Sequence, residues 1–237
     1  MFWWTYYLTF TVGPGYVPKD WSADLEDAHA GRQVLWCSKC SAFRPERAHH
    51  CKFCQRCVLM MDHHCPWIQT CVGYHNTKYF LLFLFYGLIS CSSFLYLFYQ
   101  HYHQLPSPDE SMPEDFAAAA ETANWRGNAF LLNDHVRLIA RNKTFIDYLA
   151  VHSNPFLAKM AMSWGTSARR PKKSEEDYNR YDLGTMANIR YFLGDSMWMW
   201  FWPTPPRGTG FSYPSNRRER SDDSYDVPGE SYDLRRR

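Results

Sequence analysis

The longest apolar stretch of the chain predicts a helix that spans a membrane. Residues 79–99 (YFLLFLFYGLISCSSFLYLFY) contain no Asp, Glu, Lys or Arg, and tyrosines stand at both ends. A helix of this length covers about 32 Å, and the hydrocarbon core of a bilayer is about 30 Å thick. A buried helix of a soluble domain would show a polar face, which this stretch lacks, so we predict a transmembrane helix.

Two other apolar stretches are too short or too charged to be predicted as spans. Residues 1–12 (MFWWTYYLTFTV) precede a Gly-Pro-Gly break, and as a helix they cover only about 18 Å. They form either an interfacial aromatic anchor or the second half of a spanning helix. Residues 116–139 are interrupted by Glu121, Arg126, Asp134 and Arg137. Each buried charge costs about 2.5–3.5 kcal/mol, so we expect a loop there rather than a span.

The C-terminal part of the chain is mixed and polar. Residues 190–201 (RYFLGDSMWMWF) predict either a membrane-surface element or an aromatic packing patch. From Pro203 onward Pro, Gly, Ser, Arg and Asp dominate, which predicts a disordered tail.

Charge indicates how the span is oriented. Basic residues precede it, among them Arg32, Lys39, Arg44, Arg47, Lys52, Arg56 and Lys78. Residues 100–125 contain no Lys or Arg but several acidic residues. The positive-inside tendency therefore places the segment before the span in the cytosol. A net charge of +2 is too small to favour nucleic acid as a partner.

A dense cysteine cluster precedes the span. Seven of the eight cysteines lie between Cys37 and Cys71, with overlapping C-x2-C pairs, and we find no other internal repeat. The cluster is not preceded by a secretory signal, so metal-bound thiolates are favoured over disulfides. Because the turn of a C-x2-C pair points both sulfurs at one ion, we predict zinc. Two tetrahedral sites need eight ligands, and the cluster offers nine if His50 and His64 are counted. Spacing does not say which cysteine is surplus, but a spare thiol beside Asp-His is a candidate nucleophile.

These patterns predict a mainly α membrane protein with a small zinc-stabilised, cysteine-rich cytosolic domain and one clear transmembrane helix. The predicted parts are a partial transmembrane or interfacial segment (1–13), a linker (14–33), the cysteine-rich zinc domain (34–78), the transmembrane helix (79–99), a polar acidic loop (100–140), a C-terminal region (141–202) and a disordered tail (203–237).

The motif Asp62-His63-His64-Cys65, with the cysteine ladder before it and Pro66-Trp67 and Cys71 after it, resembles the DHHC protein S-acyltransferases, or palmitoyltransferases. The resemblance covers about residues 35–98. It implies one zinc held by Cys37, Cys40, His50 and Cys57, and a second held by Cys51, Cys54, His64 and Cys71. It also implies that Cys65 becomes acylated, that His63 is its base and that Asp62 orients His63. An alternative in which His63 replaces His64 as a ligand stays open.

The activity implied by this resemblance is the transfer of a palmitoyl group from acyl-CoA to protein cysteines through an acyl-Cys65 thioester. Expected partners are acyl-CoA, proteins with exposed cysteines and the lipid bilayer, at the endoplasmic reticulum or Golgi. A catalytically impaired, zinc-stabilised membrane adaptor is the alternative, and a nucleic-acid-binding zinc finger is disfavoured because a span follows. Cys91, inside the span, is read as a packing residue rather than a second acyl carrier, and Trp67 as an interfacial anchor or a residue near the acyl chain.

Three further elements resemble parts of the same family. Gly13-Pro14-Gly15 is similar to its Asp-Pro-Gly, residues 144–147 (TFID) to its Thr-Thr-x-Glu, and residues 179–184 (NRYDLG) to its Asn-x-Tyr-Asp-x-Gly. Members of this family typically have four spans, with the cysteine block between the second and third. The resemblance therefore implies that the loop 100–140 has a missing span and that the C-terminal region 141–202 is of the cytosolic type. With one span, the last two elements would lie on the noncytosolic side, away from Cys65. We therefore expect a truncated or exon-skipped form.

Overall fold

Three helices lie side by side next to the cysteine-rich block in this computed structural model, which describes residues 1–22, 34–103, 125–151 and 180–216. Helix α1 is Phe2–Val12, α2 is Thr77–His103 and α3 is Trp125–Ala140. Much of the predicted linker, the acidic stretch 104–124, the basic run near 170 and the end of the predicted tail fall outside these residues.

Helix α2 forms over the stretch predicted to span a membrane. Among the described residues it is the one helix long and apolar enough to cross a bilayer, by length and composition. Its first half is buried against the cysteine block and the neighbouring helices, whereas large apolar side chains farther along, such as Phe94 and Leu97, are exposed. An exposed apolar surface of this kind suits lipid better than water.

Helix α1 runs antiparallel to α2. The ring of Phe2 stacks on Phe83 with centroids 5.2 Å apart, while the carbonyl of Thr9 accepts a hydrogen bond from Asn76 Nδ2 at 3.1 Å. Thr5 and Thr9 are fully buried along this contact, and their hydroxyls donate back to carbonyls of the helix itself. These small side chains let two otherwise aromatic helices approach closely.

The prediction of a loop over residues 100–140 is wrong from Trp125 onward, where the chain forms helix α3. It runs back along α2, because Asn128 approaches Gly87 and His135 packs on Phe80 with ring centroids 5.3 Å apart. One face, which includes Ile139, is buried, whereas Arg137 on the other face is exposed. Counting charges over the whole stretch hid this amphipathic pattern, in which the charges need not be buried.

The return of the chain along α3 brings residues 142–147 to the cysteine block. The expectation that they would lie on the far side of the membrane, away from Cys65, is therefore wrong. Helix α4 (Phe145–Val151) begins there, and the backbone N–H of Phe145 donates to Asp62 Oδ1 at 2.6 Å.

The cysteine block consists of three antiparallel hairpins in succession. Their strands are Leu35–Cys37 (β1) with Ala42–Arg44 (β2), His49–Cys51 (β3) with Arg56–Val58 (β4), and His63–Cys65 (β5) with Thr70–Val72 (β6). The first strands begin at residues 35, 49 and 63, so the unit repeats every 14 residues. Each turn carries one non-glycine residue with positive φ, at Ser41, Gln55 and Gln69. This repeat escaped the sequence analysis, which recognised only the C-x2-C pairs.

The C-terminal residues cover the block rather than trailing from it. Helix α5 is Thr185–Leu193 and α6 is Met197–Trp200. Tyr213 packs edge to face with Tyr74 of the block, and the backbone N–H of Asn216 donates to the carbonyl of Arg180 at 2.7 Å. The predicted disorder therefore does not hold for residues 203–216. Side chains of the aromatic stretch 190–201 differ in their surroundings, since Phe201 packs on Phe85 of α2 whereas Trp198 is 87% exposed.

Candidate metal centres and reactive thiol

The first hairpin and the second together build one group of four ligand atoms. Cys37 and Cys40 come from the first hairpin, and His50 and Cys57 from the paired strands of the second. His50 Nδ1 lies 3.7 Å from Cys37 Sγ and 3.1 Å from Cys40 Sγ, and the sulfurs of Cys40 and Cys57 are 3.8 Å apart. All four atoms lie within 4.8 Å of one another.

A second group repeats this arrangement one hairpin later. Cys51 and Cys54 come from the second hairpin, and His64 and Cys71 from the strands of the third. His64 Nδ1 lies 3.4–3.6 Å from the three sulfurs, and Cys54 Sγ is 3.6 Å from Cys71 Sγ. His64, and not His63, joins this group.

The spacing of both groups fits a tetrahedral ion. Bonds of about 2.3 Å to sulfur and 2.0–2.1 Å to nitrogen place neighbouring tetrahedral ligands about 3.4–3.8 Å apart. The distances within each group scatter around these values. Three thiols and one imidazole are also a donor set that soft divalent ions prefer. Each group can therefore hold a metal ion with all four positions filled by the protein.

Cys65 belongs to neither group. It occupies the position in the third hairpin that Cys37 and Cys51 occupy in the first and second, but Ile68 stands where those hairpins have Cys40 and Cys54. Cys65 is 4% exposed and packs with apolar residues of the cluster that includes Phe80. It is thus the surplus sulfur of the block.

The Cys65 thiol has local partners that favour its ionised form. Burial opposes ionisation, but a hydrogen bond with His63 and backbone N–H groups of Ile68 and Trp67 together lower the pKa of Cys65. The equivalent N–H groups in the other hairpins, of Cys40 and Cys54, lie 3.4 Å from the sulfurs of Cys37 and Cys51. The hairpin backbone therefore offers the same polar environment to a bound or an unbound sulfur.

His63 and Asp62 form a buried hydrogen-bonded pair beside this thiol. His63 Nδ1 lies 2.7 Å from Asp62 Oδ2, so Nδ1 carries a proton and donates it to the carboxylate. Although burial opposes the charged ring, the hydrogen bonds to Asp62 and Cys65 raise the pKa of His63 to about 9. Burial would raise the pKa of Asp62, but hydrogen bonds and the charges of His135 and His63 hold it well below its usual range. The arrangement can accept a proton from Cys65 at the other ring nitrogen.

A second buried network ties the block to residues 142–147. Arg47 donates to Asn142 Oδ1, to the Asn142 carbonyl and to Asp147 Oδ2, each at 2.9 Å. Its guanidinium also lies over the rings of Tyr181 and Tyr213, 4.7 and 5.2 Å from their centroids. Asp147 in turn accepts from the backbone N–H of Thr144. The network fixes the start of α4 against the block, and with it the N–H of Phe145 that holds Asp62.

The sequence analysis named every cysteine and histidine of the two ligand groups, but it missed residues far away in sequence. His135 lies 3.4 Å from Asp62 and belongs to α3, and no spacing pattern linked it to the motif. Arg47 and Asn142 were also missed as partners. Trp67 is 80% exposed at the tip of the third hairpin.

Comparisons with known proteins agree with this arrangement. The family model of DHHC palmitoyltransferase matches residues 32–151. Probable protein S-acyltransferase 16 of Arabidopsis thaliana is 33% identical over 210 residues, which cover 81% of this chain and 68% of that protein. Palmitoyltransferase pfa4 of Aspergillus fumigatus is 33% identical over 253 residues, with 95% and 58% covered. Probable protein S-acyltransferase 14 of Arabidopsis thaliana is 30% identical over 240 residues, with 90% and 73% covered.

Proposed function

We propose, since this chain belongs to the DHHC palmitoyltransferase family and is a protein-cysteine palmitoyltransferase, that Cys65 carries the acyl group from acyl-CoA to the protein substrate. The observation behind this assignment is the position of Cys65. It is the one sulfur of the three hairpins that lies outside both ligand groups, and it contacts a histidine hydrogen-bonded to a buried carboxylate.

The first step forms an acyl-enzyme. His63 takes the proton of the Cys65 thiol on Nε2, and the thiolate attacks the carbonyl carbon of the acyl-CoA thioester. A new S–C bond forms at Cys65, the S–C bond to CoA breaks, and the CoA sulfur leaves with the proton that His63 returns. Asp62 keeps the His63 proton on Nδ1, so that Nε2 is the basic nitrogen throughout.

The second step transfers the acyl group to the protein substrate. His63 accepts the proton of the substrate cysteine, whose thiolate attacks the acyl-Cys65 carbonyl. The sulfur of Cys65 leaves and regains a proton from His63, which restores the starting state. The product is a thioester on a protein with an exposed cysteine, which gains membrane affinity of about 0.8 kcal/mol per buried CH₂ of the chain.

The two ligand groups would hold two zinc ions, which supply closed structural cross-links between successive hairpins. His64 and Cys71, two ligands of the second group, lie on the two strands of the hairpin that carries Cys65. The reactive thiol is therefore held by a rigid frame on either side.

The membrane arrangement follows from α2. We propose that this helix spans the bilayer with the cysteine block on the cytosolic side, where acyl-CoA and protein substrates meet, in the endoplasmic reticulum or Golgi. The packing of Cys65 with Phe80 and Leu84 supports this placement, because it sets the thiol next to the apolar start of the helix.

Acylation of the purified full chain tests the assignment. Incubation with alkyne-palmitoyl-CoA should give labelling that hydroxylamine removes and that Cys65→Ser abolishes. Cys91→Ser is the matched control, because Cys91 is half-buried in α2, and it should label like wild type. Labelling of Cys65→Ser at the wild-type level would overturn the assignment. Absence of labelling in a wild-type chain with two bound zinc ions would favour a zinc-stabilised adaptor instead.

A further inference from the structure

His135 is the one histidine of α3, and the fold buries it beside Asp62 Oδ2, whereas Asp62 Oδ1 accepts from the backbone of α4. Its exposed fraction is 8%, and its ring packs edge-on against Phe80 and His63, with centroids 5.3 and 5.7 Å away. Burying an imidazole in an apolar environment is unfavourable unless its nitrogens find partners. The position of both nitrogens therefore matters.

The two ring nitrogens of His135 have different surroundings. Nδ1 lies 2.8 Å from the carbonyl oxygen of Leu131, which can only accept, so Nδ1 carries a proton. Nε2 points to Asp62 Oδ2 at 3.4 Å and makes no hydrogen bond of ordinary geometry within the described part of the chain. A lone pair on Nε2 would face a carboxylate across this short gap, which is repulsive. A positive charge between the two atoms removes the repulsion.

A proton fits this gap better than a metal ion does. Asp62 Oδ2 is the oxygen that also accepts from His63 Nδ1, and that pair is only 2.7 Å apart. Ligands of a tetrahedral ion with bonds of about 2.0–2.1 Å lie about 3.3 Å apart, so an ion shared by all three residues would have to break this hydrogen bond. A protonated Nε2 needs only a small shortening of the 3.4 Å contact.

We propose that His135 is a positioning residue of the acyl-transfer site: its ring, protonated on Nε2, holds the Asp62 carboxylate in the orientation that directs His63 toward Cys65. This inference rests on the proposed function of Cys65. Asp62 is then held by three donors from three parts of the chain, the N–H of Phe145, His63 and His135. Helix α3 becomes part of the catalytic apparatus through a residue that acts on Asp62 rather than on the thiol.

Single-turnover acylation of the full chain in detergent tests the role of His135. His135→Met removes the donor and keeps a flexible apolar side chain, whereas His135→Gln has nearly the same length and keeps an N–H. We expect the maximal acylation rate to fall about tenfold to a hundredfold in His135→Met, as when a residue that orients a ligand is lost. His135→Gln should recover most of that loss. The half-saturating palmitoyl-CoA concentration should stay within about twofold of wild type, because no substrate contact is removed.

The controls separate positioning from stability. Val136→Ala changes a neighbouring, 48% exposed residue of α3 and should acylate at the wild-type rate. Bound zinc, measured by mass spectrometry, should remain two ions per chain in every variant. If His135→Met does not fold, His135→Phe replaces it, because a phenyl ring keeps the contact with Phe80 and lacks the donor.

The outcomes distinguish this inference from the function it rests on. Wild-type rates in His135→Met, or equal losses in the Met and Gln variants with zinc retained, would overturn the role of His135 and leave Cys65 as the acyl carrier. A wild-type chain with no labelling that depends on Cys65 would overturn both.

Discussion

The third hairpin of the cysteine block differs from the first two in what it does with an equivalent sulfur. All three have the same strand register, the same turn and a buried cysteine at the end of the first strand, at Cys37, Cys51 and Cys65. In the first two, a second cysteine three residues on completes a pair that can hold a metal. In the third, Ile68 takes that position and packs on α2. Ile68 therefore removes one of the ligands that a metal site built on Cys65 would need.

The sequence that follows each hairpin supports the same distinction. Each ligand group is completed by a histidine and a cysteine of the next hairpin. After the third hairpin the chain turns into α2 instead, through Asn76, whose amide bonds the N–H of Gly73 and the carbonyl of Cys71. No histidine or cysteine follows Cys65 at the corresponding sequence positions, so its sulfur remains outside any metal site. The series of metal-binding hairpins therefore ends where the apolar helix α2 begins.

The largest expected effect comes from exchanging the equivalent cysteines for alanine. Cys51→Ala should lose the second ion and unfold the block, because binding of structural zinc supplies about 10–16 kcal/mol of folding free energy in small domains. Cys65→Ala should keep two ions and lower the free energy of unfolding by only about 1 kcal/mol, because it removes a single buried sulfur atom. Zinc content and thermal unfolding measure both. Loss of an ion from Cys65→Ala would break the comparison.

A smaller loss of stability is expected from changes in the segments that connect successive hairpins, called links below. The link before the second hairpin carries Arg47 and the link before the third carries Asp62, and both reach the start of α4. Arg47→Met leaves Asp147 buried without its cation, which should lower the free energy of unfolding by about 3–5 kcal/mol. Denaturant unfolding in detergent measures the loss.

The matched control for Arg47 is the double variant Arg47→Met/Asp147→Leu. It removes both charges and should recover part of the lost stability, since no uncompensated carboxylate remains. A single variant as stable as wild type would show that the link does not depend on this ion pair.

Restoring the missing cysteine should convert the third hairpin toward the other two. Ile68→Cys creates a C-x2-C pair with Cys65, and a sulfur bound to a metal or in a disulfide is no longer a free nucleophile. We expect acylation to fall about tenfold when zinc is added or reductant is omitted, equivalent to about 1.4 kcal/mol. Ile68→Val, which keeps the apolar contact, should acylate normally. Full activity of Ile68→Cys with added zinc would contradict the role given to this position.

The smallest expected effect tests whether the second and third hairpins have the same turn conformation. Gln55 and Gln69 both adopt positive φ and both donate to the carbonyl three residues before, at Lys52 and Pro66. Glycine relieves the strain of this conformation but costs chain entropy, so each Gln→Gly change should alter stability by less than about 1 kcal/mol. The two changes should agree in sign and size, and opposite signs would show that the turns are not equivalent.

Local patterns in the sequence predicted the parts of the molecule that depend on nearby residues. The apolar run that forms α2 and the cysteine spacing are such patterns, and the eight ligands implied by the resemblance do come together in two groups of four. The 14-residue repeat was also present in the sequence. It was missed because Ile68 interrupts the C-x2-C series at the hairpin where the interruption matters most.

Contacts between distant segments could not be predicted in this way. Helix α3 was read as a loop because its charges were counted without regard to the face on which they lie. His135 and Asn142 gain their roles only after α3 returns along α2, about 70 to 95 residues after their partners in the block. Polar side chains on an amphipathic helix give no sign in the sequence of which carboxylate or guanidinium they will meet.

Native mass spectrometry of the full chain after reaction with palmitoyl-CoA tests most directly whether Cys65 is a free sulfur while both ligand groups hold a metal ion. The structure predicts a species that carries two zinc ions and one hydroxylamine-sensitive palmitoyl group at the same time, with the group mapped to Cys65. Loss of one zinc ion for each acyl group gained would show that Cys65 is a ligand and would contradict the assignment.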